Sequence, residues 1–427
     1  MSRKKDHFLH EVTNHIRSKE AKEFVATELE HHLKEVKKEW MEKGLCETEA
    51  EEKAVMQMGS PAKLGRELNK LHRPRVDWWL IGLLIITMGL SFLPLFSFGD
   101  INTQNVVLRK SVIVLLGVVA AVGMMFYDYR KLASKGWLFY FLALFGLLLI
   151  TFFSNYRING ALTFAVGPFR LQSFMVLPFL YLAWSSFYND IRLKIWHLLI
   201  LYLLPLYLIA LVPDLSTMVI YTAMVYTMLW WSTISRKNAV KITVGAVILG
   251  AALLSLALAT AKEYQLGRLY AFIDAKKYPN TYGYMYLKLR EQLTSAGWFG
   301  SMENSQSLPN QHTDFVFAGL THQYGYAFGF ALLLILSLFA VRILLITNHV
   351  QNPFGRLLLV GGITLYLVQF GYNIGMILGW LPLTSMSLPF ISYGLMPTLL
   401  NAFIIGTVLS VSKHGDGSPA SFQSAKR

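Results

Sequence analysis

The chain has 427 residues, of which 54% are hydrophobic, 14% aromatic and 15% charged, with a mean hydropathy of +0.43. So much apolar surface exceeds what one soluble core buries and calls for lipid as solvent. The formal charge of +14 does not point to nucleic acid, because beyond the first 75 residues the Lys and Arg sit mainly in short loops beside apolar runs, as topology determinants.

Most of the 25 acidic residues precede Asp77, and no continuous apolar stretch opens the chain, so no signal peptide is expected and the N-terminus is expected in the cytoplasm. Residues 1–75 form a helical domain by pattern. Phe8, Val12 and Ile16, then Phe24, Val25, Leu29, Leu33, Val36 and Trp40, recur at helical spacing as an amphipathic pair. Gly44 ends the second helix, Thr48 with Glu51 predicts a capping box for a third over Ala50–Met58, and Gly59-Ser60-Pro61 separates a short fourth over Ala62–Leu71. The single cysteine, Cys46, allows neither a disulfide framework nor a Cys-based metal site, and His7, His10, His15, His31 and His32 read as solvated helix faces. No metal or other cofactor is indicated, although a divalent cation stays open.

Ten apolar runs follow the basic junction 72–75: Trp78–Phe98, Leu108–Tyr127, Trp137–Phe153, Phe174–Tyr188, Ile195–Val212, Ser216–Trp231, Ile242–Thr260, Phe315–Ile346, Leu357–Trp380 and Ser387–Val411. The expected fold is all-α, a polytopic membrane protein of about ten transmembrane helices over residues 76–412. The Phe315–Ile346 run exceeds one bilayer, so its first part is expected to be interfacial or a distinct helical element. Basic residues in the loops 128–135, 189–194 and 236–241 put those loops and both termini in the cytoplasm, with residues 413–427 as a disordered tail. The connection 261–314 then lies outside, long enough to be functional. Its cations, Lys262 and Arg268 among them, either serve an anionic ligand or solvate a loop. The span interiors hold almost no ionisable residue, which argues against ion-coupled transport, and no nucleotide-binding glycine loop is present.

Leu308-Pro309-Asn310-Gln311-His312-Thr313-Asp314-Phe315-Val316-Phe317-Ala318 resembles the Pro-Glu-x-His-Thr-Asp-Phe-Ile-Phe-Ala signature of the FtsW/RodA/SpoVE peptidoglycan polymerases. Pro213-Asp214-Leu215-Ser216-Thr217, Arg268-Leu269-Tyr270-Ala271-Phe272-Ile273-Asp274 and Ala296-Gly297-Trp298-Phe299-Gly300 resemble further family motifs in the same order. Gln369, Asn373, Leu381-Pro382-Leu383-Thr384 and Leu388-Pro389-Phe390-Ile391-Ser392-Tyr393-Gly394 follow its last two helices. The stretch from Glu28 to Pro61 resembles the helical prefix domain ahead of some bacterial permeases.

The resemblance implies a glycosyltransferase that polymerises lipid II at the outer face of the bacterial cytoplasmic membrane, with a class B penicillin-binding transpeptidase as partner. Glycosyl transfer needs a base for the acceptor hydroxyl and positive charge or donors for the departing pyrophosphate. Asp314 is the candidate base with His312 beside it, while an N-cap is the plainer role for an Asp at a loop-to-helix junction. Arg268 and Lys262 are candidates for the pyrophosphate, and Asp214 for substrate or for capping its helix. Gln369 and Asn373, one turn apart, line a polar cavity or bond between helices, and Ser392 joins the candidate substrate-binding set. The sequence departs from the family at Asn310, Leu162, Thr163, Met175, Pro178, His322, Gln323 and Leu395, losing an Arg, a Lys and several carboxylates. These losses open a second reading, a non-catalytic scaffold or regulator that binds the lipid precursor or a transpeptidase.

Overall fold

The computed structural model describes residues 3–16, 19–71, 76–97, 103–158, 160–167, 169–190, 192–260, 262–301 and 308–415. They divide into two compact units: residues up to Asp77 with Val350–Asn352 and Ser412 onward, and Trp78–His349 with Pro353–Val411.

The first unit holds α1 (Arg3–Asn14), α2 (Lys19–Glu42), α3 (Glu47–Gln57) and α4 (Pro61–Leu71). Phe8, Val12, Ile16, Val25, Leu33, Val36 and Ala54 meet in its core, which is where helical spacing puts them. The side chain of Phe24 lies outside the described residues. Gly44 ends α2 with φ of 91°, a left-handed turn that suits a residue without Cβ. The expected capping box at Thr48 does not form. Cys46 is the N-cap instead, because Glu47 and Glu49 favour the positive helix end and draw α3 three residues earlier than expected.

The second unit starts with α5 (Trp78–Leu90), α6 (Leu93–Ser97), α7 (Thr103–Phe126) and α8 (Gly136–Phe153). Three antiparallel strands follow, β1 (Tyr156–Ile158), β2 (Ala161–Val166) and β3 (Phe169–Leu171), in the order β1-β2-β3. Then come α9 (Leu177–Asn189), α10 (Ile195–Leu211), α11 (Leu215–Trp230), α12 (Arg236–Ala259), α13 (Glu263–Ile273), α14 (Tyr284–Ser295), α15 (Val316–His349), α16 (Pro353–Ile377) and α17 (Leu395–Gly415). Each of the ten expected spans overlaps a helix, the first of them two, α5 and α6. Among the described residues, six segments are long and apolar enough to cross a bilayer, and α10 and α11 are shorter apolar helices. Residues such as Phe141, Phe145, Val247 and Leu334 are exposed and present the apolar belt that lipid covers.

The sheet was not expected from the sequence. It closes through Asn155, whose side chain accepts from Ala165 N and donates to Ala165 O. The 34-residue helix α15 breaks at Gly325, where φ is 87° and ψ is 173°, so the expected division of the Phe315–Ile346 run is real. Tyr326 N and Ala327 N, freed by the break, donate to Gly297 O and Trp298 O. The last span also differs: apolar residues from Ser387 are not helical until Leu395. Pro389, with Phe390 at a φ of 62°, forces the chain into a strap over 378–394. At the other end α17 continues to Gly415, past the expected start of a tail at 413, and 416–427 lie outside the described residues.

Candidate active site

Asp314 lies two residues before the start of α15, and the strap holds it there. Asn373 Nδ2 on α16 donates to Asp314 O at 2.8 Å and to Met386 O at 2.5 Å. Ser392 Oγ donates to Thr313 O at 2.6 Å and accepts from Leu388 N, while Tyr393 N donates to His312 O at 2.8 Å. The turn itself starts at Asn310, whose φ is 57° and whose carbonyl accepts from Thr313 N and Phe315 N. Asn tolerates that left-handed conformation far better than most residues, which gives the departure at 310 a backbone role.

Backbone groups carry all of these bonds, leaving the Asp314 carboxyl free: among the described residues nothing pairs with it. It caps no helix. The residue is only 8% exposed, and burial pushes its pKa up to about 7. A carboxyl so poised takes and gives a proton near neutrality, as a general base must. His312 is half-buried beside it.

The other sequence candidates separate into distinct roles. Asp214 caps α11: its carboxylate accepts from Thr217 N, Thr217 Oγ1 and Ser173 Oγ, so both of its oxygens are engaged locally. Gln369 is fully buried, and its Oε1 accepts from Asn401 Nδ2 on α17 at 3.1 Å. It bonds between helices rather than lining a polar cavity, because both amides face the packed α16–α17 interior. Asn373 is equally buried and fixes the Asp314 backbone. Lys262 precedes α13, its N–H donating to Gln265 Oε1, and both Lys262 and Arg268 are exposed. Phe272, on the same helix as Arg268, packs against Tyr286 of α14, whose hydroxyl accepts from Leu383 N of the strap. The α13–α14 segment thus reaches the same strap as Asp314.

The departures also find places. Leu162 N donates to Val212 O, and Thr163 is fully buried in β2. Met175 and Pro178, at the positions of a family acid and a family Lys, line an apolar cavity of about 460 Å³ with Phe174, Leu182, Met396 and Phe403. His322 O accepts from Ser301 N, and the Gln323 carbonyl lies against Gly300. Leu395 opens α17.

One buried group escaped the sequence reading. Lys110 lies about two turns into α7, is completely buried, and donates through Nζ to Ser392 O at 3.3 Å. Its ammonium stands 5.9 Å from the Tyr393 ring. Within spans that hold almost no ionisable residue, Lys110 is a buried exception among the described residues.

Fold and site together define a polytopic all-α membrane protein in which a strap holds the backbone around a buried carboxyl, that of Asp314. Residues 75–416 match the family described as Cell cycle protein, FtsW/RodA/SpoVE, and the chain belongs to that family. A putative peptidoglycan glycosyltransferase FtsW of Mesostigma viride is 30% identical over 353 residues, covering 78% of this chain and 81% of the relative. The peptidoglycan glycosyltransferase RodA of Treponema pallidum is 32% identical over 161 residues, and that alignment spans only 36% of each protein. A solved chain from a peptidoglycan synthase complex that coordinates polymerization and crosslinking shares the fold, with a TM-score of 0.69 at 24% identity, over 79% of this chain and 97% of that one.

Proposed function

We propose that this protein is a peptidoglycan glycosyltransferase that polymerises lipid II at the outer face of the bacterial cytoplasmic membrane. The observation that carries this reading is the Asp314 carboxyl, buried, free of partners among the described residues and raised to about 7. In the transfer step the acceptor sugar hydroxyl gives its proton to the Asp314 carboxylate as its oxygen attacks the donor's anomeric carbon. The bond from that carbon to the pyrophosphate breaks, and the pyrophosphate leaves with the electron pair. Asn373 holds the base through its own carbonyl and Ser392 through that of Thr313, so less of the barrier is spent on orientation. Arg268, exposed on α13, is the candidate positive charge for the departing pyrophosphate.

The basic loops support cytoplasmic termini and an outer 261–314 connection, the side on which this reading puts the lipid-linked donor and a class B penicillin-binding transpeptidase. The apolar cavity at Met175 and Pro178 supports a second reading, a scaffold that binds the lipid precursor without turning it over. Incubating labelled lipid II with the purified protein, alone and with a transpeptidase, separates the two. Glycan chains that form with wild type and vanish in Asp314→Ala support the enzyme. Retained lipid II binding without chains from either protein supports the scaffold.

A further inference from the structure

The turns that join α9 to α10 and α11 to α12 meet around a cavity of about 390 Å³, a size within the roughly 300–1,000 Å³ of small-molecule sites. Its polar walls are Asp190, Lys194, Thr233, Ser235 and Asn238. The acid among them is already engaged, because Asp190 accepts from Arg192 N, Nε and Nη2 at 2.8 to 3.0 Å. Among the described residues no carboxylate pairs with Lys194, and neither the Ser235 hydroxyl nor the Asn238 amide has a hydrogen-bond partner. Lys194 directly precedes α10 and Ser235 directly precedes α12, so the first N–H groups of both helices add positive potential at the same end. Residues 189–194 and 231–241 together hold Arg192, Lys194, Arg236, Lys237 and Lys241 against Asp190 alone. Orienting the chain in the membrane explains such an excess of cations, but that role requires no cavity with unengaged donors.

The surroundings of the cavity belong to a bilayer interface. Trp196 and Trp230 are exposed at the adjoining ends of α10 and α11, where aromatic side chains mark the level of the headgroups. From there the apolar surface continues into the spans: Leu198 lines the cavity, while Leu199 and Leu203 on α10 and Val244 and Val247 on α12 are exposed. An anion that also carries acyl chains satisfies both the donors and this apolar flank. We propose that the cavity binds the phosphodiester headgroup of an anionic membrane phospholipid, with Lys194, Ser235 and Asn238 on the phosphate and the acyl chains along α10 and α12. The site stands apart from Asp314 and does not depend on the glycosyltransferase reading.

The test titrates the full chain in detergent with phosphatidylglycerol or phosphatidylcholine of the same acyl chains and counts bound lipid by native mass spectrometry. Wild type is expected to bind the anionic lipid about tenfold or more tightly than the zwitterionic one. Lys194→Met removes one charge-assisted hydrogen bond and is expected to weaken phosphatidylglycerol binding by about tenfold. Asn238→Asp, close in shape but anionic, is expected to abolish the preference, and Lys194→Arg to keep it. Lys131→Met, the same loss of charge on an exposed residue of another basic loop, is expected to leave binding unchanged. Equal affinity of wild type for the two lipids, or equal weakening by Lys194→Met and Lys131→Met, overturns the proposal. Displacement of phosphatidylglycerol by equimolar glycerol 3-phosphate overturns the assignment to a lipid in favour of a soluble phosphate.

Discussion

Asp314 shows how one residue combines structure and chemistry: its backbone carbonyl is held by Asn373 while its carboxyl is left buried and free. A base must be ionised to act, and this carboxyl ionises near pH 7. Polymerisation is therefore expected to rise with pH through about 7 and to fall by about a hundredfold or more in Asp314→Asn. A rate flat from pH 5.5 to 8.5 would contradict the base assignment. Stability follows from the same shift. The folded state holds the proton up to about pH 7, whereas the unfolded chain releases it near 3.8. Wild type thus loses stability as pH rises between those values, by at most about 4 kcal/mol. Asp314→Asn removes that penalty, so its thermal midpoint in detergent should exceed that of wild type at pH 8 and approach it near pH 4. Ser392→Ala, which frees the Thr313 carbonyl, is expected to lower the turnover rate more than it raises the Michaelis constant, because it loosens the base without touching substrate.

At the scale of elements, the break in α15 depends on glycine. A Cβ at Gly325 would sit 2.3 Å from Trp298 O and 2.5 Å from Gly300 N, on a residue whose φ is already 87°. Gly325→Ala is expected to destabilise by about 2 kcal/mol or more, read as faster thermal inactivation. Gly371→Ala, with nothing within 4 Å of its Cβ, is the matched control and should change little. The β1–β2–β3 sheet was legible in part: Asn159-Gly160 is a strong two-residue hairpin signal. Leu162 and Thr163, which depart from the family, both lie in β2.

For the whole molecule, the division at residues 77–78 predicts that a chain starting at residue 76 still inserts and forms glycan. Val12, fully buried in the prefix core, gives the complementary test: Val12→Asp should unfold the prefix helices while leaving polymerisation in place. Loss of membrane insertion in either variant would show that the prefix is needed for assembly. Orientation is checked with the single cysteine. A membrane-impermeant thiol reagent should label Cys46 only in opened cells, whereas Phe299→Cys in a Cys46→Ser chain should react in intact ones, because Phe299 is 90% exposed.

Composition and apolar periodicity alone determined the membrane class, the ten helical segments and the helical prefix, since each depends on local spacing against a fixed bilayer thickness. The motif around Asp314 was equally visible, because its residues are contiguous. Tertiary structure decided which polar groups do structural work. Only packing showed that Asp214 is spent on Thr217 and Ser173, that Gln369 bonds to Asn401, and that Lys110 meets Ser392 across 282 positions of sequence. Those contacts join distant segments through single side chains. No periodicity encodes them, and desolvation, which sets the behaviour of Asp314, exists only once the chain has folded.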